Sequence, residues 1–394
     1  MIKLSSFSFL TSLFFGLGFS IATSRLLGVV DKGIFFNYQV ISLVAATIIF
    51  APISQVLFEF LRDYKLDINK LLKTSLTIIL TILICSFLSC IVLTVFFDIN
   101  FLLIFTLLIG QGLMIGLLEF GKFKLNLNKF LILNSIQSFL PLLILLLAYY
   151  FLVDFDYFEA IIATSIGYLL VAFLGLFFLE KSTTPPSLSD KIKPKERYLS
   201  ILFVKTLGSI VNYTDRMIMV SFLDNRSMGL ISICYNLETV SSKFYQFVAN
   251  TKLNFLSKND HSKSKFIDTV AFVCACLGLL ITYFLGSFII KIVFGIEYVE
   301  ASKYLILIIL ISSINGISWI ISQHWILAYS LRHIHIRQIL GLFSIFLILF
   351  TYYAFEVKIS LNYILLAVFV SSVTRLLFTL WINFYEKQSF KRVD

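Results

Sequence analysis

Charged residues are scarce in this sequence. Only 14% of its 394 residues are Asp, Glu, Lys or Arg, whereas 59% are hydrophobic. A soluble domain carries roughly 25% charged residues, so this chain cannot build the polar surface of a soluble fold. Charge-free runs of the ~20 residues that a helix needs to cross a bilayer recur along its whole length. The sequence therefore predicts an all-α polytopic membrane protein.

Long polar segments are also rare. The only one covers residues 180–199 and contains three prolines, and no loop on the predicted outer side exceeds about ten residues. There is thus no room for an external catalytic domain, and we predict that the chain is not an enzyme. All five cysteines lie in apolar runs, which argues against a disulfide framework. Without a glycine-rich phosphate loop or a set of metal ligands, we expect no ATP hydrolysis, cofactor or metal.

The apolar runs predict twelve transmembrane helices. They lie near residues 4–24, 33–58, 74–97, 99–118, 130–153, 160–179, 198–223, 227–251, 269–290, 303–324, 338–355 and 359–385. We expect an N-terminal six-helix lobe (1–180), a cytoplasmic linker (181–197), a C-terminal six-helix lobe (198–386) and a cytoplasmic tail (387–394).

The distribution of Lys and Arg predicts the orientation. With the amino terminus inside, 22 of the 32 Lys and Arg residues fall in cytoplasmic segments and only six, Lys32 among them, in external ones. Such a bias is typical of cytoplasmic loops, so both termini are predicted to be cytoplasmic. The net charge of +10 then reflects topology, and no nucleic-acid partner is expected.

The two halves of the sequence resemble each other at an offset of 196 to 197 residues. Gly33-Ile34-Phe35 with Tyr38 matches Gly229-Leu230-Ile231 with Tyr235. Because each half has an even number of predicted spans, both halves have the same orientation. Parallel repeats of this kind are typical of alternating-access carriers with a central cavity between the halves.

Six charges fall away from the ends of predicted spans, all in the second half: Lys205, Asp215, Arg216, Glu238, Lys243 and Arg375. A charge at the bilayer centre costs at least ~2.5–3.5 kcal/mol, so each should face protein or a wet cavity. Helical spacing places Lys205, Asn212 and Arg216 on one face, and Asn236, Lys243 and Gln246 on another.

We predict that these two faces bind substrate, together with Arg25 and Arg375, while Asp215 and Glu238 couple transport to an energy source. A cationic, amide-rich cavity suits a large anion with many hydroxyl groups, such as a sugar phosphate. The alternative, that Asp215–Arg216 and Glu238–Lys243 are only ion pairs that tie helices together, stays open.

Three motifs resemble those of polysaccharide exporters in the multidrug/oligosaccharidyl-lipid/polysaccharide superfamily. They are Ser24-Arg25-Leu26-Leu27-Gly28 followed by Gly33, Asn212-Tyr213-Thr214-Asp215-Arg216-Met217, and Phe294-Gly295-Ile296-Glu297-Tyr298-Val299-Glu300-Ala301. The best likeness is to the O-antigen (Wzx-type) flippases. It implies roles in the lumen for Arg25, Asp215 and Arg216 only.

This resemblance implies a flippase for undecaprenyl-pyrophosphate-linked repeat units, acting in polysaccharide and lipopolysaccharide biosynthesis. It places the chain among the lipids of a bacterial inner membrane, with a polysaccharide polymerase and a chain-length regulator as partners. An ion-coupled multidrug or small-solute exporter is the alternative, although it would be expected to carry acids in the first half. A lipid II flippase should have fourteen spans, and an integral glycosyltransferase or polymerase should have catalytic acids on a sizeable loop.

The topology is tested at Lys193, in the linker. A cysteine introduced there should react with a membrane-impermeant maleimide only after the cytoplasmic face is exposed. Labelling of intact cells from the outside would reverse the predicted orientation.

Overall fold

The structure is a computed structural model. It describes residues 2–63, 68–124, 127–152, 154–178, 206, 210, 213–256, 261–323, 331–355 and 360–390. Within these ranges every regular element is a helix and no strand occurs, which confirms the all-α prediction. The predicted linker and the site residues Lys205 and Asn212 lie outside the described residues.

The chain divides into two compact units, Met1–Tyr213 and Thr214–Asp394. The first contains α1 (Ile2–Asp63), α2 (Ile68–Phe97), α3 (Phe101–Lys124), α4 (Leu127–Phe151) and α5 (Tyr157–Phe178). Helices α1 and α5 both pack against α3 and α4, and α2 packs against α3. Buried leucines of α3 and α4 form part of this core.

The second unit begins in a helical segment, residues 213–222, here named α6. It continues with α7 (Asn225–Leu256), α8 (His261–Val293), a short 3₁₀ helix (Ile296–Ala301), α9 (Ser302–Ile321), α10 (Leu331–Ala354) and α11 (Leu361–Phe390). Helix α9 packs against α7, α8 and α11, and α10 packs against α11. Because α9 contacts three neighbours, its small polar residues meet side chains from several helices.

The surfaces of these helices are those of a multi-pass membrane protein. Within the described ranges, eight segments are long and apolar enough to cross a bilayer, and large side chains such as Phe14, Phe284, Phe350 and Phe384 are exposed on them. A helix satisfies its own backbone polar groups, which lipid cannot do. Helix α7 is not among the eight, because charged and amide residues interrupt its apolar sequence. The count of twelve spans stays a prediction.

Helix α1 is two helices joined at Gly28. In one straight helix, Phe19 and Phe35 would be about 24 Å apart at 1.5 Å per residue, yet their ring centroids are 6.1 Å apart. The chain therefore folds back on itself at Gly28, where φ is 67° and ψ is 176°. The two arms correspond to the first two predicted spans. This backbone conformation is almost restricted to glycine.

The reversal also buries a lysine that the charge count placed in an external loop. Lys32 is only 2% exposed. Its amine donates a hydrogen bond to the Thr23 hydroxyl and lies 5.4 Å from the centre of the Phe35 ring. The counted loop does not exist, because the helix resumes directly after Gly28 and carries Lys32 inward. The amine thus ties the two arms together.

The Phe-Gly motif of the second unit has a structural explanation. Phe294, Tyr298 and Ala301 are fully buried, and Gly295 has a φ of 122°. The Tyr298 amide donates to the Gly295 carbonyl at 3.3 Å. The motif therefore encodes the tight turn between α8 and α9.

The Gly28 backbone predicts the effect of adding one methyl group. Gly28→Ala should lower the free energy of unfolding by about 1–3 kcal/mol, because alanine is strained in this conformation although nothing lies within 4 Å of the added carbon. Thermal unfolding of the purified protein in detergent measures the change. Gly278→Ala is the matched control, since Gly278 lies within α8, also has open space around it and has no such backbone angle. Equal melting temperatures for the two variants would contradict the strain argument.

Candidate substrate and coupling site

A polar network joins α6 to α7 in the second unit. One terminal nitrogen of Arg216 lies 3.7 Å from Oε2 of Glu238, and these side chains are 24% and 14% exposed. The two residues belong to separate helices that are connected by a short turn. Two charges that the sequence places at membrane depth are thus largely paired with each other.

Tyr235 contacts both Asp215 and Arg216. Its hydroxyl donates a hydrogen bond to Oδ2 of Asp215 at 2.8 Å, and its ring centre lies 4.7 Å from the Arg216 guanidinium carbon. The ring can stabilise the cation through its negative face, while the hydroxyl satisfies the carboxylate. Asp215 makes no ion pair within 4 Å in the described part of the chain.

Glu238 is held by hydroxyl groups as well as by Arg216. The Ser312 hydroxyl of α9 donates to Oε1 of Glu238 at 3.0 Å, and the Ser242 hydroxyl donates to the same oxygen. The network therefore connects α6, α7 and α9, and it fixes the Glu238 side chain from two directions.

Arg375 lies on α11, outside this network. It crosses α10 at Gly341, with its Cδ 2.8 Å from the position that a Gly341 side chain would occupy. One terminal nitrogen is 3.5 Å from the Ser372 hydroxyl, and its Nε is buried without a hydrogen-bond partner. Among the described residues, the Nε–H of this guanidinium therefore has no acceptor.

The remaining predicted residues lie in varied surroundings. Asn236 and Lys243 are both half-buried on α7, whereas Gln246 is exposed. The helical step of about 100° per residue accounts for the difference in exposure, because it places Gln246 about 80° away from Asn236 around the helix axis. The Asn236 amide nitrogen is buried without a partner. Arg25 is exposed and belongs to the first unit.

Sequence reasoning missed three members of the network, the hydroxyl groups of Tyr235, Ser242 and Ser312. Ser242 lies one turn after Glu238 on the same helix. Tyr235 had a signal, since it lies one turn before Glu238 on the same face. Ser312 had none, because its contact depends on the packing of α9 against α7. The sequence analysis left two ion pairs open, Asp215–Arg216 and Glu238–Lys243. The structure instead pairs Arg216 with Glu238. In the described ranges, no three His, Cys, Asp or Glu residues cluster as metal ligands would.

No family model and no curated protein matches the sequence. Solved structures do match over nearly the whole chain. The structure titled "Lipid II flippase MurJ, inward closed conformation" has a TM-score of 0.71 at 17% identity and covers 96% of this chain and 87% of that chain. An inward-facing multidrug resistance MATE family transporter of the MOP superfamily scores 0.60 at 10% identity, covering 97% and 96%.

A third match is the MATE multidrug transporter DinF-BH, solved in complex with a ligand. Its TM-score is 0.60 at 13% identity, and the alignment covers 98% of this chain and 96% of that chain. At such identities the likeness concerns the fold. The chain therefore has the helical fold that MurJ and the MATE transporters share.

The Arg216–Glu238 pair should matter for stability. We expect Arg216→Gln or Glu238→Gln to lower the free energy of unfolding by about 1–3 kcal/mol, less than the roughly 3–5 kcal/mol of a fully buried pair. Membrane abundance and thermal unfolding in detergent report the change.

Arg226→Gln is the matched control, because Arg226 faces Glu300 at a similar 3.6 Å while being 68% exposed. An exposed pair contributes about 0–1 kcal/mol. If Arg216→Gln and Arg226→Gln lowered the free energy of unfolding equally, the buried Arg216–Glu238 pair would contribute no more to stability than the exposed Arg226–Glu300 pair.

Proposed function

Because the chain has the fold of these transporters, we propose that it is a flippase for undecaprenyl-pyrophosphate-linked oligosaccharide repeat units. It moves them from the cytoplasmic to the periplasmic leaflet of a bacterial inner membrane. This is the O-antigen type of function that the sequence motifs suggest, and it makes the chain a transporter without enzymatic activity. A polysaccharide polymerase and a chain-length regulator are its proposed partners.

The observation that carries the proposal is the polar network around Arg216. Its guanidinium is oriented by Glu238 and Tyr235, and it is still 24% exposed. Lys243 and Arg375 are further cations of the same unit, so the proposed site has three cations against the two acids Asp215 and Glu238. A pyrophosphate with hydroxyl-rich sugars complements such a surface, since guanidinium groups match phosphate oxygens in geometry. Lys205 and Arg25 complete the proposed substrate-binding set.

The proposed architecture is twelve helices in two parallel six-helix lobes, with residues 1–180 and 198–386 on either side of a central cavity. Both termini and the linker are cytoplasmic in this proposal. Parallel repeats with a site between them are typical of alternating-access carriers.

Coupling is assigned to Asp215 and Glu238. Asp215 accepts a hydrogen bond from the neutral Tyr235 hydroxyl, so its charge is not locked in a close ion pair in the described residues. Such a carboxylate can change partner when an anion reaches Arg216. Differential interaction of this kind is what alternating access requires.

An ion-coupled multidrug exporter is the second candidate. The observation in its favour is the pair of partly buried acids, Asp215 and Glu238, which could bind a cation or a cationic drug. One multidrug transporter of the same fold was solved with a ligand bound.

Reconstituted vesicles separate the two candidates. A pyrophosphate-linked oligosaccharide with a fluorescent sugar should become accessible to an added quencher within minutes when the wild-type protein is present. A cationic rhodamine dye should not accumulate in the same vesicles under a Na⁺ or H⁺ gradient. Dye uptake without sugar-lipid movement would overturn the proposal and support the exporter.

A double variant distinguishes function from stability. Arg216→Gln with Glu238→Gln removes both charges, so it should recover most of the stability that either change alone removes. It should still lose at least about tenfold in flipping rate, since a charged hydrogen bond to the phosphate contributes about 1.5–3 kcal/mol. Recovery of flipping in the double variant would make the pair purely structural.

Asp215→Asn tests the coupling role. Flipping by this variant, measured with and without an ion gradient, should not respond to the gradient, while the variant should be as stable as the wild type.

A further inference from the structure

Trp319 is exposed on a helix whose other residues are almost all covered. Every residue of α9 is described, and only Lys303 in its first turn and Trp319 near its end are exposed. Trp319 is 36% exposed. The helices that face lipid differ, since α8 and α10 each expose a row of large apolar side chains. A single exposed indole without apolar neighbours on its helix indicates contact with a polar space.

The neighbouring helix α7 runs in the same direction as α9. The Ser242 hydroxyl of α7 lies 3.5 Å from the Ser312 hydroxyl of α9. Further along both helices, the Tyr245 ring occupies the space that a Gly316 side chain would need. Tyr245 and Gly316 therefore mark the line along which the two helices meet.

Helix α8 packs against both members of this α7–α9 pair and covers one of its sides, where Ala271 joins the buried cluster around Tyr245. At about 100° per residue, Trp319 lies about 60° round α9 from Gly316. By the same rule, Gln246 lies about 100° round α7 from Tyr245. Both rotations lead to the side of the pair away from α8. The indole and the Gln246 amide therefore face the same space.

The two side chains are also at nearly the same height. Trp319 is three residues beyond Gly316, and Gln246 is one residue beyond Tyr245, so they differ by about 3 Å along the helix axes. Asn315, half-buried, lies one turn before Trp319. Within the described part of the chain, neither the exposed Gln246 amide nor the Asn315 amide makes a hydrogen bond. Each amide offers donors and an acceptor.

The indole ring is held in place by Arg337 of α10. Its guanidinium carbon lies 5.7 Å from the centre of the Trp319 ring, and one terminal nitrogen donates to the Ser322 hydroxyl at 2.9 Å. Arg337 is 6% exposed, although the sequence places it in a cytoplasmic loop. A cation over the face of a ring is attracted to it. The ring is thus fixed by a buried neighbour, while part of it stays accessible.

This space lies beyond the Arg216–Glu238 network along α7. Glu238 and Gln246 are eight residues apart, which is about 12 Å along the helix. Tyr235, whose ring contacts Arg216, lies within about 20° of Gln246 round α7. A pyrophosphate at Arg216 and a sugar beside Gln246 would therefore lie on one side of α7, in the order in which the substrate carries them.

We propose that Trp319, Gln246 and Asn315 form a binding site for a sugar ring of the lipid-linked oligosaccharide. The site rests on the proposed function, which supplies the substrate. The apolar C–H face of the sugar packs against the indole, an amphipathic ring with a large apolar surface. The two amides exchange hydrogen bonds with the sugar hydroxyls. The cations of the unit hold the pyrophosphate, and this site selects the sugar.

Two lipids separate sugar binding from phosphate binding. One is the undecaprenyl-pyrophosphate-linked oligosaccharide extracted from cells that produce this protein, and the other is undecaprenyl pyrophosphate without sugar. Native mass spectrometry of the full-length protein in detergent gives the dissociation constant of each. The wild type should prefer the lipid that carries sugar.

Trp319→Leu should reduce this preference about tenfold, because it removes the aromatic surface. Binding of the sugar-free lipid should stay unchanged, since the phosphate contacts are elsewhere. Trp319→Phe keeps a ring and should keep most of the preference. Asn315→Ala should also reduce the preference, and it carries the test if Trp319→Leu is not monodisperse.

Trp381→Leu is the matched control, because Trp381 is exposed among the large apolar residues of α11. It should bind both lipids like the wild type. The sugar site is overturned, with the proposed function intact, if the wild type binds both lipids equally or if Trp319→Leu keeps the preference. It is overturned likewise if that variant loses both lipids to the same extent. If the wild type binds neither lipid, the proposed function fails as well.

Discussion

A charge within a bilayer needs partners that the protein itself supplies, and this requirement organises both units. The chain meets it in three ways. Arg216 has an acid and an aromatic ring, Lys32 has a hydroxyl and a ring, and Arg337 has serine oxygens and a ring. Each solution also joins two helical segments through polar contacts. Apolar contacts are non-directional, so these few polar contacts fix the rotation of the helices.

The sequence predicts much of the fold because helices in lipid have a strong compositional signature. It also places Arg216 and Glu238 at membrane depth, since their flanking runs are apolar. The sequence could not predict that Arg216 and Glu238 pair, because the rotation of α7 depends on its contacts with α9, such as the hydrogen bond from Ser312 to Glu238. Ser312 is 74 residues away from Glu238.

Two cations were misplaced for a common reason. The count of Lys and Arg residues assumes that a charge at the end of an apolar run lies in a loop exposed to water. Both Lys32 and Arg337 lie at such ends. In the structure, the helices continue through both positions, and neighbouring side chains cover them. Only the tertiary arrangement distinguishes a loop cation from a buried one. The same fold can therefore serve different substrates when a few such charges change, while the apolar framework stays the same.

The reversal at Gly28 has a consequence for how the chain tolerates inserted sequence. Insertions are accepted at exposed loop tips, where few backbone contacts are lost, but here a single residue makes the turn. A tag placed between Thr23 and Lys32 would separate the hydroxyl from the amine and the two aromatic rings from each other. This end of the first unit is built from helix termini without a loop. Antibody epitopes and protease sites are better introduced elsewhere, for example in the break between α4 and α5.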